Sequence, residues 1–423
     1  MVPARQSGFG HRPAELRFWR RWVGAALDKG AVTPFYLFSA EPIRAALERL
    51  DLLQRALPVP VRHWLSCKTQ PVPPLLRWWR RQGRPIEVVS EFEYHAARAA
   101  GFPTDLILLN GPAKHRWLPQ VAAPGLRVNF DSPNELAALL PLARRLDWRC
   151  GVRVRTREEF DPEFPAVPTQ FGFDFAGAVA ALRRLRRARV RIETIHFHLR
   201  TNVASASVYA RAVEEVVAVC RAAAFTPRFL DCGGGLPPAH TRSRSGRRFG
   251  AGFALERLAR VLRRGVLALP GLEELWLENG RFLSAGAGAL VVTVLDAKRG
   301  GRWRQLICDG GRTLHALVSL WEEHELLPVP ARRGPTVPTV VYGPTCMAFD
   351  QLARRWMPAG IRPGDGLVWF EAGAYHLAWE TRFSHGTAAV WWHEEDRLWP
   401  ARPAESFGGA WRRWRPDPPG KKR

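Results

Sequence analysis

The chain has 423 residues, of which 46% are hydrophobic and 24% are charged, and this balance is typical of a globular protein with a large core. Its formal net charge is +24, and arginine carries almost all of the positive charge because only six lysines occur. The arginines are spread along the chain, which indicates a compositional preference rather than a specific nucleic-acid surface. The charge still favours an acidic partner or a phosphorylated ligand.

The six cysteines are scattered, without a Cys-x-x-Cys pair or the His and Cys spacing of a zinc motif. We therefore expect a reduced, cytoplasmic protein that binds no metal. No apolar run reaches the length of a membrane span, so no membrane partner is expected. The segment at residues 408–423 has the composition of a disordered basic tail.

Between residues 60 and 280, short apolar runs alternate with helical patterns. The runs lack strict alternation, as expected for strands that are covered on both faces. One helix opens with the capping-box sequence Ser132-Pro133-Asn134-Glu135. Eight strand–helix units predict an α/β fold with a (β/α)8 TIM barrel at residues 35–282, and a doubly wound sheet is the alternative. The predicted strands are 61–67, 86–90, 105–110, 126–130, 150–155, 192–199, 228–232 and 274–278.

After residue 281 the pattern changes to strand-like runs without a comparable series of helices. Runs at 289–296 and 303–308 flank Lys298-Arg-Gly-Gly-Arg302, which indicates a hairpin. Further runs follow up to residue 392. We expect a C-terminal β domain at residues 283–400, to which residues 1–34 could add a helix or a strand.

Lys68 stands at the end of the first predicted barrel strand, in the sequence Ser66-Cys67-Lys68-Thr69. A lysine amine can lose its proton and attack a carbonyl, whereas a guanidinium cannot. In a chain that uses arginine almost everywhere, a retained lysine is a candidate for forming a Schiff base. The segment alone equally allows a lysine that extends from the strand end to solvent.

The ends of three later strands carry further unusual residues, and strand ends face the active site of a barrel. The glycines at 233–235 leave bare N–H groups that suit a phosphate, and Gly280 with Arg281 adds a further amide and a guanidinium. Glu278 requires a partner, either a structural arginine or a protonated ring nitrogen. His198 either stacks on a planar ligand or is structural. With a Schiff-base lysine, this set describes a site for pyridoxal phosphate.

Seven short motifs, in order, resemble those of the fold-type III pyridoxal-phosphate decarboxylases, the group of diaminopimelate, ornithine and arginine decarboxylases with an alanine racemase-like barrel. The likeness runs from about residue 33 to residue 394. The family's Ala-Val-Lys-Ala-Asn appears as Ser-Cys-Lys-Thr-Gln, and its Glu-Pro-Gly-Arg appears as Glu-Asn-Gly-Arg. The matching segments are 66–70, 89–93, 196–201, 233–235, 278–281, 343–346 and 373–375.

The resemblance implies a pyridoxal 5'-phosphate enzyme that decarboxylates an amino acid at Cα. It also implies a homodimer with a shared active site, in which Cys346 from the neighbouring subunit controls reprotonation; a small core residue is the alternative role. The residues that it assigns to the cofactor are Lys68, His198, Thr201, Gly233, Gly234, Gly235, Glu278, Gly280, Arg281 and Tyr375.

Departures from the family pattern concern the substrate. Met347 stands where family members that act on diamino substrates carry an acid, and a thioether cannot neutralise an ammonium group. Arg200 replaces a small glycine, and Arg312 and Glu322 lie in an atypical specificity segment. We therefore expect a non-standard amino-acid-like substrate, carrier-tethered or phosphorylated, contacted by these four residues. A racemase or epimerase on the same fold and a non-catalytic binding protein are the alternatives.

Overall fold

The computed structural model describes residues 10–160 and 165–413. The chain folds into two compact units. The barrel unit comprises Pro42–Ala239 and Phe249–Ser284, and the β-rich unit comprises the residues before Pro42, His240–Arg248 and the residues from Ala285 onward. Across the described ranges, no helix is both long enough and apolar enough to cross a membrane.

Nineteen strands occur in the described residues, and they are numbered in chain order. They are β1 Phe35–Ser39, β2 Val61–Ser66, β3 Ile86–Val88, β4 Ile107–Leu109, β5 Arg127–Phe130, β6 Arg149–Arg153, β7 Ile192–His196, β8 Phe229–Asp231, β9 Arg242–Ser243, β10 Glu274–Asn279, β11 Gly288–Gly300, β12 Trp303–Cys308, β13 Glu322–Glu323, β14 Leu326–Val329, β15 Thr336–Tyr342, β16 Gln351–Pro358, β17 Gly366–Trp369, β18 Ala389–Glu394 and β19 Arg397–Arg402.

Twelve α-helices accompany these strands in the part of the chain that is described. They are α1 Pro13–Asp28, α2 Glu41–Ala56, α3 Pro73–Arg81, α4 Glu91–Ala99, α5 Leu118–Val121, α6 Pro133–Arg145, α7 Phe175–Arg187, α8 Ser207–Ala223, α9 Leu255–Leu267, α10 Arg281–Ser284, α11 Ala316–Leu320 and α12 Phe407–Trp411.

The barrel unit contains a closed eight-stranded barrel in the order β10-β2-β3-β4-β5-β6-β7-β8. Every neighbouring pair is parallel, including the closing pair in which Leu275 of β10 lies beside Val61 of β2. Each of the eight strands overlaps one of the eight predicted apolar runs, which confirms the predicted TIM barrel. Because all strands run the same way, their carboxyl ends open at one end of the barrel.

Two layers of side chains lie on successive inward positions of these strands. Trp64, Leu108, Phe229 and Trp276 form one buried apolar cluster. Since side chains of a strand alternate between faces, the residues two positions further along face the same way. Those residues are Ser66, Asn110, Asp231 and Glu278, all of them buried. An apolar layer therefore lies directly beneath a polar one.

The β-rich unit is built on a nine-stranded sheet with the main order β16-β15-β12-β11-β1-β18-β19, onto which β17 and β14 also pair. The predicted hairpin at residues 289–308 is the antiparallel pair β11 and β12. Helix α1 packs its buried face on this sheet, with Trp19, Trp22 and Val23 against Phe35 and Trp391. Residues 1–34 thus contribute a helix to the β-rich unit, and the strand β1 that follows them joins the same sheet by pairing with β11 and β18.

The C-terminal segment differs in part from the predicted disordered tail. Residues Phe407–Trp411 form the short helix α12, whose first turn is capped because the Gly409 N–H donates to the Ser406 hydroxyl at 3.1 Å. Composition did not reveal this cap, because one serine before two glycines is a weak helix signal. The rest of the predicted tail, from residue 414, lies outside the described residues.

Candidate active site

A cavity of about 840 Å³ opens within the barrel unit and is lined by side chains from the ends of six barrel strands. Four predicted site residues meet there, namely Lys68, His198, Arg200 and Glu278. The remaining polar lining includes Glu87, Asn110, Arg153 and Glu159, and an apolar wall is formed by Val89, Phe160, Val167, Pro168 and Phe171.

Lys68 lies on a single 3₁₀ turn, Cys67–Thr69, that directly follows strand β2. The turn is fixed because the Thr69 hydroxyl donates to the Ser66 carbonyl at 2.8 Å. The Lys68 Nζ reaches the carboxylate of Glu87 on the adjacent strand β3, at 2.7 Å. Glu87 is almost completely buried, so the lysine is directed inward to the cavity rather than outward to bulk solvent.

Glu278 is the central carboxylate of the polar layer. Its Oε1 accepts a hydrogen bond from the Asn110 amide and lies 3.3 Å from His196 Nε2, while its Oε2 lies 3.1 Å from His198 Nδ1. Burial favours a higher pKa for Glu278, but His196, His198 and the charge of Lys68 outweigh it, so its pKa lies below the ordinary value. Glu278 is therefore an anion in the floor of the cavity.

Asp231 lies beside Glu278 in the same layer and behaves in the opposite way. Its carboxyl group is fully buried, and burial together with the charge of Glu278 raises its pKa well above the ordinary value. Two neighbouring carboxyl groups thus carry a single negative charge between them, as expected when like charges share a site of low polarity. The negative charge resides on Glu278, which lines the cavity.

The glycine run after β8 brings bare backbone next to His198. Gly233 and Gly235 have positive φ angles of 60° and 108°, and a Cβ on Gly234 would stand 2.6 Å from the Glu278 carbonyl oxygen. The Gly234 nitrogen lies 3.2 Å from His198 Nδ1. Since that ring nitrogen either carries a proton or accepts one, it bonds to the glycine N–H or to Glu278, not to both at once.

Two more predicted cofactor residues are joined to each other, because the Arg281 Nε donates to the Thr201 hydroxyl at 3.3 Å. Arg281 opens the short helix α10, directly after Gly280 and strand β10. A phosphate in this region of the barrel unit would meet a guanidinium and a hydroxyl already placed side by side.

Both cavity arginines are engaged with acids of the β6–α7 connection. Arg200 donates to the Glu158 carbonyl at 3.0 Å, and its guanidinium lies 4.4 Å from the ring centre of Phe160. Arg153 forms an ion pair with Glu159. Arg200, which we predict to contact the substrate, thus already has a local partner for its charge in Glu158.

The other predicted residues lie in the β-rich unit. Cys346 is exposed, in a turn organised by Asp350, whose carboxylate accepts from the Thr345 hydroxyl and from the Arg312 backbone N–H, both at 2.6 Å. Tyr375 adopts a left-handed backbone, with φ of 70°. Met347 follows Cys346 in the same turn and is partly buried.

Glu322 differs from the prediction that it contacts the substrate. It is almost completely buried within the β-rich unit, with its Oε2 at 2.9 Å from His324 Nε2 and 3.8 Å from His376 Nε2. These contacts hold the Glu322 carboxylate inside the β-rich unit. The sequence alone could not separate this position from an exposed one, because Glu322 borders both apolar and charged residues.

Sequence reasoning did not select Glu87 or Asn110 as site residues, although both line the cavity. A signal was present in each case. Glu87 is an acid in the middle of a short apolar strand, and Asn110 follows an apolar run at the same relative position as Glu278 in its strand. Buried polar side chains on neighbouring strands require each other as partners.

These barrel residues fit pyridoxal phosphate. A lysine amine faces the cavity, an anionic carboxylate stands in its floor, and a glycine turn offers amides where a Cβ on Gly233 would lie 2.5 Å from a carbonyl oxygen. An aldehyde, a protonated ring nitrogen and a phosphate are the complementary groups.

Comparison with known proteins gives the same assignment. The family described as "Pyridoxal-dependent decarboxylase, pyridoxal binding domain" matches residues 44–285. A diaminopimelate decarboxylase from Actinosynnema pretiosum subsp. auranticum is 30% identical over 364 residues, covering 83% of this chain and 82% of that protein. An L-glutamyl-[BtrI acyl-carrier protein] decarboxylase from Niallia circulans is 24% identical over 379 residues, covering 84% of this chain and 86% of that protein.

Solved structures share the fold. The crystal structure of diaminopimelate decarboxylase from Helicobacter pylori, complexed with L-lysine, has a TM-score of 0.78 and 21% identity, covering 92% of this chain and 98% of that one. The family match spans more than half of the sequence and includes the whole glycine turn and Lys68. The chain therefore belongs to the family of pyridoxal-dependent decarboxylases, which are carboxy-lyases that use pyridoxal phosphate.

Proposed function

We propose that this chain decarboxylates an amino acid whose distal end is not a free ammonium group, with Lys68, His198 and Glu278 as the central cofactor residues. The observation that carries the proposal is the convergence of these three side chains on one cavity of the barrel unit. The glycines at 233–235, with Thr201, Gly280 and Arg281, are proposed to hold the phosphate.

Bound pyridoxal phosphate would supply an electron-accepting ring for the electron pair that remains when CO2 leaves Cα. The roles of the chain follow from the positions of its side chains. Lys68 would hold the cofactor through Nζ, because a lysine amine can bond to an aldehyde carbon. Glu278 would favour a proton on the ring nitrogen of the cofactor, because an anion in a buried layer favours a cationic partner. His198 lies between Glu278 and Gly234, where a flat imidazole can cover one face of the ring.

Protonation of Cα after CO2 loss is proposed to involve Cys346. This thiol is exposed in the single chain, in a turn that is held rigid by Asp350. An exposed thiol on a fixed turn suits delivery to the cavity of a second subunit, as the resemblance to the family implies. We therefore propose a homodimer in which each site combines residues of both chains.

The lining of the barrel cavity supports a non-standard substrate. Its carboxylates are Glu87, Glu159 and Glu278, and each already has a partner in Lys68, in Arg153 or in the amide of Asn110. With Lys68 holding the cofactor, Glu87 is the one described lining acid whose partner would change, so a distal ammonium group would find few acids to pair with. The net charge of +24 and the relative that acts on a carrier-bound glutamyl group favour a substrate presented by an acidic carrier protein.

The test is release of labelled CO2 from a panel of carboxyl-labelled amino acids, offered free and as thioesters of an acyl-carrier protein. We expect release from at least one member of the panel that lacks a distal ammonium, and less from meso-diaminopimelate, lysine and ornithine. Lys68→Ala should reduce release by at least about 10³-fold and should abolish the visible absorbance of the bound cofactor.

Lys298→Ala is the matched control, because Lys298 is an exposed lysine of β11 outside the barrel unit and should leave both signals unchanged. Efficient turnover of free diaminopimelate would contradict the proposed substrate class. Interconversion of enantiomers without any CO2 release would instead indicate a racemase.

A further inference from the structure

Three buried histidines meet in the β-rich unit, outside the residues proposed for decarboxylation. His315, His324 and His376 each offer a ring nitrogen, and these three nitrogens all lie within 4.8 Å of one another. All three side chains are at most 1% exposed. Charged or polar side chains are costly to bury in such a group unless they bind one another or an ion.

The three nitrogens lie close enough together to close around one metal ion. Two nitrogens bound to a tetrahedral zinc at about 2.05 Å lie roughly 3.3 Å apart. The Nδ1 atoms of His315 and His376 are 3.0 Å apart, with their ring centres at 4.2 Å. The ring centre of His324 lies 5.1 Å from each of the other two. Binding one ion at all three nitrogens requires the rings to turn toward one another.

Glu322 occupies the position of a carboxylate that orients metal-bound imidazoles. Its Oε2 lies 2.9 Å from His324 Nε2 and 3.8 Å from His376 Nε2. A carboxylate that accepts from one ring nitrogen leaves the other, with its lone pair, directed to the metal. The Nδ1 of His324 fits this arrangement, because it is buried and has no hydrogen-bond partner among the described residues.

The charges that surround the cluster balance in favour of a cation. Arg355 is a half-buried cation beside the cluster, and it donates to the His324 carbonyl at 3.0 Å. Its charge is opposed by Glu323 and Glu325, which both stabilise the guanidinium. Glu322 therefore remains as the acid that faces the imidazoles of His324 and His376.

We propose that His315, His324 and His376 bind a zinc-class transition-metal ion, with Glu322 as the carboxylate that orients the rings. Nitrogen-rich sites of this kind select zinc and its neighbours over magnesium or calcium. The ligands come from three separate segments, after β12, at β13 and after β17. A bound ion would therefore fasten three loops of the β-rich unit, which is a structural role.

The test uses the tag-free holoenzyme, stripped with a chelator and then titrated with Zn²⁺ in competition with a chromophoric chelator. We expect one equivalent per chain. His324→Asn and His376→Asn should each weaken zinc binding by at least about 100-fold, and Glu322→Gln by about 10- to 100-fold. His95→Asn is the control, because His95 is an exposed histidine of α4 and should bind zinc like the wild type.

The proposal is overturned if the stripped wild type takes up no stoichiometric zinc, or if the cluster variants bind it as tightly as the wild type does. If circular dichroism shows that the cluster variants are unfolded, the absorption spectrum of Co²⁺ added to the wild type tests the site instead. An intense visible absorbance typical of tetrahedral nitrogen ligation supports the site, and the weak spectrum of aqueous Co²⁺ refutes it. None of these signals depends on decarboxylation.

Discussion

At the scale of single residues, Glu93 shows how the candidate site affects its surroundings. Its Oε2 accepts from the Val89 N–H at 2.9 Å, and its own N–H donates to the Ser90 hydroxyl at 3.2 Å. Burial raises the pKa of Glu93 to about 7, and the charge of Glu87 adds to this, while Lys68 opposes it. The carboxyl group is therefore protonated in mildly acidic solution.

This pKa makes stability depend on pH. In the unfolded chain Glu93 titrates near its ordinary value of 4.5, so the folded state holds the proton more tightly between pH 4.5 and 7. The stabilisation is complete below the unfolded pKa and is lost as pH rises through 7. Relative to Glu93→Gln, the wild type should lose about 2.5 kcal/mol of unfolding free energy between pH 5 and pH 8.

Urea unfolding at several pH values measures this difference. Glu91→Gln, on the exposed side of the same helical turn, should retain the pH profile of the wild type. Parallel profiles for the wild type and Glu93→Gln would show that Glu93 is ionised throughout.

How far the sequence predicts the site also differs from residue to residue. Lys68 was identified as a candidate because lysine is scarce and because it ends an apolar strand, and both signals are local. Glu87 was not selected, because its role depends on a neighbour 19 positions away that only the barrel brings within 2.7 Å. Local sequence signals therefore identify the reactive group, whereas its partner is identified only from the fold.

At the scale of elements, a buried ion pair joins the segment that follows β4 to helix α6. Lys114 and Glu135 are completely buried and lie 2.7 Å apart. Glu135 also accepts from the backbone N–H groups of Lys114 and Asp131, and the Lys114 Nζ donates to the Gly111 carbonyl at 2.6 Å. Lys114 is thus a second retained lysine with a structural role, because its compact ammonium is enclosed by the oxygens of Glu135 and Gly111.

Breaking this pair should be costly. Glu135→Gln leaves the buried ammonium of Lys114 without its counter-ion and should lower the free energy of unfolding by about 3 kcal/mol or more. Ser132→Ala removes the cap of the same helix, where the Glu135 N–H donates to the Ser132 hydroxyl at 3.2 Å, and should cost about 1 kcal/mol. Chemical denaturation of the barrel unit, followed by tryptophan fluorescence, measures both.

A double variant separates the pair from its environment. Lys114→Met combined with Glu135→Gln removes both charges, keeps an amide oxygen for the backbone N–H groups, and should recover most of the loss seen in Glu135→Gln alone. If the losses of unfolding free energy in Lys114→Met and in Glu135→Gln simply add in the double variant, the two side chains act independently.

The elements themselves were largely predictable, because eight apolar runs separated by helical patterns admit few folds. Strand β1 was not, since it lies beside the barrel in sequence but pairs with β11 and β18, more than 240 residues further along. Its five residues are all buried and carry no sign of which sheet they join.

At the scale of the whole molecule, the proposed shared site predicts complementation between inactive variants. Lys68→Ala and Cys346→Ala should each be inactive as homodimers. When the two are mixed and allowed to exchange subunits, about half of the dimers are mixed, and each mixed dimer contains one intact site. We expect about a quarter of the wild-type activity to return.

Differently tagged chains, recovered in succession by their tags, verify that mixed dimers have formed. Activity that stays absent in such dimers would place Lys68 and Cys346 in the same subunit's site, and an active Cys346→Ala homodimer would exclude Cys346 from catalysis. A monomer in sedimentation at micromolar concentration would remove the basis of the prediction.

The sequence indicated that two structural units exist, and it could not show how the chain divides between them. The β-rich unit takes in residues before Pro42 and the short segment His240–Arg248, in addition to the C-terminal part. Such exchanges depend on long-range pairing, for example of β9 with β13, whose few residues carry no pattern of their own.

The position of Lys68 also allows the proposed cofactor attachment to be detected by chemical labelling. The lysines at 29 and 298 are exposed and Lys114 is fully enclosed, which leaves one amine of the described chain on the cavity wall. Hydride reduction of the cofactor-loaded protein should fix the cofactor at this amine. Trypsin, which cleaves after arginine, would then release the mark on one fragment, residues 63–77, because the modified lysine resists cleavage. Because lysine is scarce in this chain, the mass of this one peptide would show whether Lys68 holds the cofactor.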